Sequence, residues 1–86
     1  MSEERRLWGV LWRQKNKMYG LKEHLDNENC VPILFSTRAE AGEWIKKRYG
    51  YIATRKDLRA EPHGWLMPRP VRVLVRMMVQ REAEHE

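Results

Sequence analysis

Hydrophobic side chains alternate over Leu-Trp-Gly-Val-Leu-Trp-Arg (7–13), which sets Trp8, Val10 and Trp12 on one face of a predicted strand. Leu7 and Leu11 fall on the other face, so this strand is expected to have neighbours on both sides. Gln-Lys-Asn-Lys (14–17) reads as a turn. Over 18–25 two periods compete. Met18, Leu21 and Leu25 stand at helical spacing, yet Gly20 and the shortness of the stretch suit the second arm of a hairpin, and a strand is expected. Asp26–Asn29 is loop chemistry, because short polar side chains there bond their own backbone. Cys30–Ser36 is the next strand, and Pro32, which has no backbone donor, marks an edge or a strand start.

The pattern then changes period. Thr37-Arg38-Ala39-Glu40 matches a capping box, in which Thr37 and Glu40 satisfy free backbone amides reciprocally. Ala41, Trp44, Ile45 and Tyr49 follow at spacings of three and four and line one helical face. Lys46, Lys47 and Arg48 crowd the last turn, where the helix dipole favours cations. Gly50 is placed to end the helix in a left-handed cap. Gly42, inside the helix, is expected where the sheet backbone comes close.

From Tyr51 to Pro70 the chain reads as irregular, with room for a short helical turn at Thr54–Arg59 and a turn at Pro62-His63-Gly64. Pro68 and Pro70 bracket an extended run into the last strand, Val71–Val79. That strand alternates cleanly. Val71, Val73, Val75, Met77 and Val79 share one face; Arg72, Leu74, Arg76 and Met78 share the other. The order strand, strand, strand, helix, strand predicts an α+β fold, a small antiparallel sheet of three to four strands with one helix packed on one face. Trp44 and Ile45 are expected to bury against Trp8, Val10 or Trp12, with Val73 and Val75 in the same cluster.

Eighty-six residues make one domain with a thin core, since a chain this short hides only about 60–65% of its unfolded surface. The expected domain spans 7–80, between a disordered tail at 1–6 and an acidic tail at 81–86. No apolar run approaches the roughly 20 residues of a membrane span, and the first residues lack the apolar core of a secretory signal. Cys30 is the single cysteine, which excludes an internal disulfide and fits a reducing cytoplasm. Charge adds more. The formal net charge is +5, but between Arg5 and Arg81 lie all 17 cations against 7 acids, so the body is close to +10. Eleven of the 17 are arginine, whose planar fork suits phosphate and carboxylate. Attraction to polyanions is expected, although small domains also carry charge for solubility.

The catalytic inventory is nearly empty: His24, His63 and His85 are scattered, and neither zinc-ligand spacing nor a glycine-rich phosphate loop is present. The one candidate cluster is Asp57, Glu61 and His63, since a histidine beside carboxylates can do acid–base work. The competing reading is that Glu61 and His63 fasten a long turn beneath Trp65. No enzyme activity, cofactor or metal is expected. The arginines offer more. Arg72 and Arg76 stand four residues apart on one strand face, about 13 Å, and Arg13 is expected beside them. Such a row could contact phosphates, with Leu74 and Met78 touching sugars or bases. The competing reading is that charge on a solvent-facing strand prevents edge-to-edge aggregation. Lys46 and Lys47 serve the helix dipole first, and Glu43 can pair with Lys47. Trp65, in the predicted loop, is expected to be the most exposed tryptophan. The candidate binding residues are thus Arg13, Arg72, Arg76, Lys46, Lys47 and Trp65.

Two resemblances bear on function. Ile-Leu-Phe-Ser-Thr-Arg-Ala-Glu-Ala-Gly-Glu-Trp-Ile (33–45), Tyr-Gly-Tyr-Ile (49–52) and Asp-Leu-Arg-Ala-Glu-Pro-His-Gly-Trp (57–65) resemble a group of short bacteriophage and prophage proteins, a group that brings no activity with it. The junction Phe35-x-Thr37-x-x-Glu40-Ala41-x-x-Trp44 is similar to the arm-binding domains of phage integrases, which implies a sheet, backed by one helix, that lays its strands on DNA. The expectation is a phage-type accessory protein, acting in the host cytoplasm and away from membranes. Its basic sheet surface would bind nucleic acid or a host nucleoprotein complex. The alternative is an inhibitor that binds an acidic host protein, anti-CRISPR-type activity included.

Overall fold

Fifteen residues without an interior proline, Ser2–Asn16, form one long strand, β1, and every other strand but one pair is placed by it. The structure, a computed structural model, describes residues 2–80. Gly20–Leu25 (β2) returns antiparallel along Leu11–Asn16, as the hairpin reading expects. The predicted strand 30–36 is broken. Asn27–Glu28 (β3) and Val31–Pro32 (β4) form a separate two-residue ladder, closed by Asn29 and Cys30 at φ 52° and 65°. Leu34–Phe35 (β5) then joins β1 beside Trp8 and Gly9. Trp65–Met78 (β6) runs along the opposite edge of β1, from Ser2↔Met78 to Gln14↔Trp65. The result is a four-stranded antiparallel sheet with helices, an α+β fold.

Two boundaries differ from expectation for the same reason. Residues 2–6 are strand rather than a disordered tail, because β6 reaches far enough to pair with them; the acidic tail at 81–86 and Met1 lie outside the described residues. Likewise β6 begins at Trp65 and contains both Pro68 and Pro70. An edge strand tolerates proline where no donor is needed. Val10, opposite Pro70, turns its carbonyl the other way to accept from the Asp26 amide at 2.8 Å, so this pair needs no donor from Pro70. Pro68 sits buried where the register shifts between Leu11 and Arg13, at a bulge.

The first helix, Arg38–Tyr49 (α1), has the expected capping box: Thr37 Oγ1 accepts from Glu40 N at 3.1 Å and Glu40 Oε1 accepts from Thr37 N at 3.1 Å. Gly50 does not cap it left-handedly. Its φ of −57° and ψ of −27° are helical, because the chain continues into Tyr51–Thr54 (α2) and Lys56–Arg59 (α3), with Ile52 fully buried. Gly42 meets no sheet backbone either, since a Cβ there would enter open space.

The core lies between α1 and the Trp8–Val10–Trp12 face. Val10, Ala41, Ile45 and Ile52 are buried, and an aromatic chain joins the layers: Phe35 to Trp44 (6.0 Å between ring centres), Trp44 to Tyr49 (5.8 Å), Tyr49 to Trp12 (5.5 Å), Trp12 to Trp65 (5.4 Å). Trp44 is only half-buried and reaches the sheet through Phe35 and Tyr49. Val73 and Val75 are not in this cluster. They pair with Leu7 and Arg5 and so face away from α1. There, Val73 Cγ2 lies 2.8 Å, and Leu25 Cδ2 3.2 Å, from where a Cβ on Gly9 would stand.

The 61–64 turn closes the far end. Glu61 accepts from the Lys17 amide (3.1 Å), buried Asn16 donates to the His63 carbonyl (3.5 Å), and the Lys15 amide donates to the Gly64 carbonyl (2.8 Å). Gly64 is buried at φ 65°, and a Cβ would strike the Lys15 carbonyl oxygen. Gly64→Ala should therefore cost more than about 1 kcal/mol, and Gly42→Ala should instead add about 0.5–1 kcal/mol. Denaturant unfolding of the two variants checks both signs.

Candidate nucleic-acid interface

Alternation along β1 puts Glu4 and Arg6 on the same face as Trp8, and the register brings Arg76, Leu74 and Arg72 opposite them in turn. Helix α1 starts above this row. The outcome is a half-exposed indole, Trp8, flanked by two guanidinium groups: Arg72 at 4.9 Å from the ring centre and Arg38 at 6.0 Å. A cation over an aromatic face is attracted by the ring quadrupole, and arginine can stack there while its N–H fork stays free. Arg6 lies diagonally across from Arg72. The two share an open groove of about 350 Å3 with Glu4, Val73 and Leu74. Glu4, the one acid in that groove, is held by Arg76, whose Nη2 and Nε donate to it at 2.6 and 2.9 Å. Among the described residues, no ion pair engages Arg6, Arg38 or Arg72.

The expected site residues are therefore divided. Arg72 belongs to the cluster. Arg76 is on the same face but is committed to Glu4. Arg13 is on the opposite face, because its odd position alternates away from Trp8 and Arg72; it stands 3.4 Å from Glu23, and its buried Nε lacks hydrogen-bond geometry to any partner. Lys46 and Lys47 are exposed in the last turn of α1, at the far end of the helix from Arg38. Trp65 is half-buried on Trp12, with the His63 ring on it at 5.9 Å, so it is no exposed platform. Arg6 and Arg38 were missed. Carrying the period of Trp8, Val10 and Trp12 back by one step finds Arg6; no sequence signal places Arg38 over Trp8.

The cluster of Asp57, Glu61 and His63 is not assembled. Asp57 accepts two hydrogen bonds from Arg55 (2.9 and 2.6 Å), which lower its pKa to about 2. Glu61 fixes the hairpin turn, and His63 packs on Trp65. Among the described residues, no three His, Cys, Asp or Glu side chains are grouped to hold a metal ion, and no helix is long and apolar enough to cross a membrane. No family model, curated protein or solved structure matches the chain.

A second, smaller cleft of about 130 Å3 opens between α1 and the β3–β4 ladder. Tyr49 donates there to Asp26 Oδ2 at 2.5 Å. Burial, and then the Asp26 carboxylate, push the Tyr49 pKa up to about 12. An acid whose folded pKa is raised binds its proton more tightly in the native state, so stability falls as pH rises from about 10 towards 12. Tyr49→Phe should lower stability at pH 8 by about 1 kcal/mol and flatten the alkaline decline, as read from thermal unfolding between pH 8 and 12.

Proposed function

We propose that this chain is a non-catalytic binding protein of the phage accessory type, and that Arg38 and Arg72 on Trp8, with Arg6 in the adjoining groove, engage the phosphates of a nucleic acid or nucleoprotein complex. One observation carries the reading: two guanidinium groups, Arg38 and Arg72, lie on a half-exposed indole, with Arg6 in the groove beside Arg72, and no ion pair engages any of the three among the described residues. Gathering like charges is unfavourable unless something compensates, and Trp8 compensates only in part. A polyanion completes the site. The body's charge of close to +10 steers such a partner towards it.

A second reading, inhibition of a host system by binding one of its proteins, anti-CRISPR-type activity included, is favoured by the other face of the sheet. Leu7, Leu11, Leu34, Val71, Val73 and Val75 are half-exposed there, and Leu25 and Met77 are exposed. Contiguous apolar surface of this kind marks protein contacts more than nucleic-acid contacts. The two readings use opposite faces, so they can be separated by mutation.

A salt titration of DNA and RNA binding does this. Each phosphate contacted should contribute a log–log slope of about −0.9 on duplex and about −0.7 on a single strand. Changing Arg38 and Arg72 together to Ala should make the slope shallower by about two contacts, and Arg13→Ala should leave it unchanged. The double variant should lose no more than about 2 kcal/mol, the most that two exposed contacts to the Trp8 ring supply. No affinity for DNA or RNA at low salt sinks the nucleic-acid reading and leaves the protein inhibitor.

A further inference from the structure

The N-terminal part of β1 is a two-stranded arm. Ser2–Leu7 pairs with β6 alone, because β5 takes the other edge only at Trp8 and Gly9, and β2 only from Leu11. The arm accounts for a molecule 58 Å long, with a radius of gyration of 17.1 Å, where a compact chain of this length has about 12 Å. Isolated two-stranded ribbons are marginal in water, and this one exposes Leu74, Met77 and Met78. Its free edge also has defined donors. Val10 turns its carbonyl towards the β2 side, to Asp26. Backbone alternation then turns the N–H and C=O of Glu4 and Arg6 to the same side, where no described residue meets them.

We infer that this edge pairs with a second copy of itself, giving a two-fold dimer through an antiparallel β1–β1 junction centred on Glu4. Symmetry narrows the register. A two-fold axis that reverses a strand and exchanges it with its copy stands perpendicular to the sheet, so a residue faces only one of its own parity. Centring on Arg5 would set two arginines opposite each other and extend the pairing to Trp8, where β5 already sits. Centring on Glu4 confines the junction to residues 2–6. It sets Glu3 opposite Arg5 of the second copy, twice, adding to the 3.8 Å pair these residues make within one chain. The two Glu4 side chains face each other, but each is already neutralised by Arg76 at 2.6 Å. Glu3 and Arg5 thus complement each other across the axis, and Arg6 faces Ser2. Both Trp8 clusters then look out from one face, about 27 Å apart along the strands, within reach of one polyanion. That last consequence rests on the nucleic-acid reading, whereas the dimer does not, so the two fail separately.

Sedimentation velocity across a concentration series tests it on the full chain. A dimer is expected. Arg5→Glu and Glu3→Arg should each weaken it at least tenfold, and the reversed pair Glu3→Arg with Arg5→Glu should restore it; circular dichroism reports that each variant is folded. Amide exchange at Glu4 and Arg6 should slow as the dimer fills. A monomeric parent chain overturns the proposal. So does a dimer that ignores both single reversals, or one that the double reversal does not rescue.

Discussion

The long antiparallel pairing of β1 with β6 is the constraint on which the remaining structure depends. It extends over nearly the whole of both strands and is interrupted by one shift, between Leu11 and Arg13. Its register decides what each face of the sheet contains. Trp8, Val10 and Trp12 go to the helix side together with Arg72 and Arg76, while Leu7, Gly9, Val73 and Val75 go to the other. A slip of one residue between the two strands would turn β6 over relative to β1, bringing Val73 and Val75 to the helix side and taking Arg72 away from Trp8. The core on the helix side is small, with Val10 and Ile52 its largest fully buried side chains. Half-buried aromatic rings in tilted and edge-on contact supply much of the remaining cohesion.

The same register explains why the charged face is not uniform. Arg76 meets Glu4 and is neutralised, Arg13 turns to the far side and meets Glu23, and Arg72 meets an indole in place of an acid. An arginine stacked on tryptophan keeps its hydrogen-bonding edge and loses part of its rotamer freedom, so less ordering is left to be done on binding. Arg38 arrives at the same ring from the first turn of α1, where the Glu40 amide already donates to Thr37.

Much of the fold was legible in the sequence because its signals were local. The capping box at Thr37 and Glu40, the helical face of Ala41, Trp44, Ile45 and Tyr49, and the alternation at 7–13 and 71–78 each need only nearest neighbours to be read. What escaped was non-local. Whether Pro68 and Pro70 may lie within a strand depends on which edge is free, and whether 2–6 is ordered depends on β6 reaching it. Which face of β6 meets the helix depends on register, whereas alternation alone points the valines to the core and the arginines to solvent. The site suffered for the same reason. Arg72 was recognisable as a basic residue on a strand, but its partnership with Trp8 and Arg38 arises only when three distant segments meet. Gly50 misled because a glycine after a helix commonly ends it, and here buried Ile52 draws the chain into another turn.

On the proposed reading, one face of this sheet is for a polyanion, and the arginine-flanked Trp8 is its contact point. The most direct test is a nuclear magnetic resonance titration of the isotope-labelled chain with a short oligonucleotide. It would follow the Trp8 indole N–H and the Nε–H signals of Arg6, Arg38 and Arg72 beside the methyl signals of Leu7, Val71, Val73 and Val75. The arginine and Trp8 signals should shift together with a single affinity while the methyls stay still. Shifts confined to the methyl face, or none at all, would contradict the account.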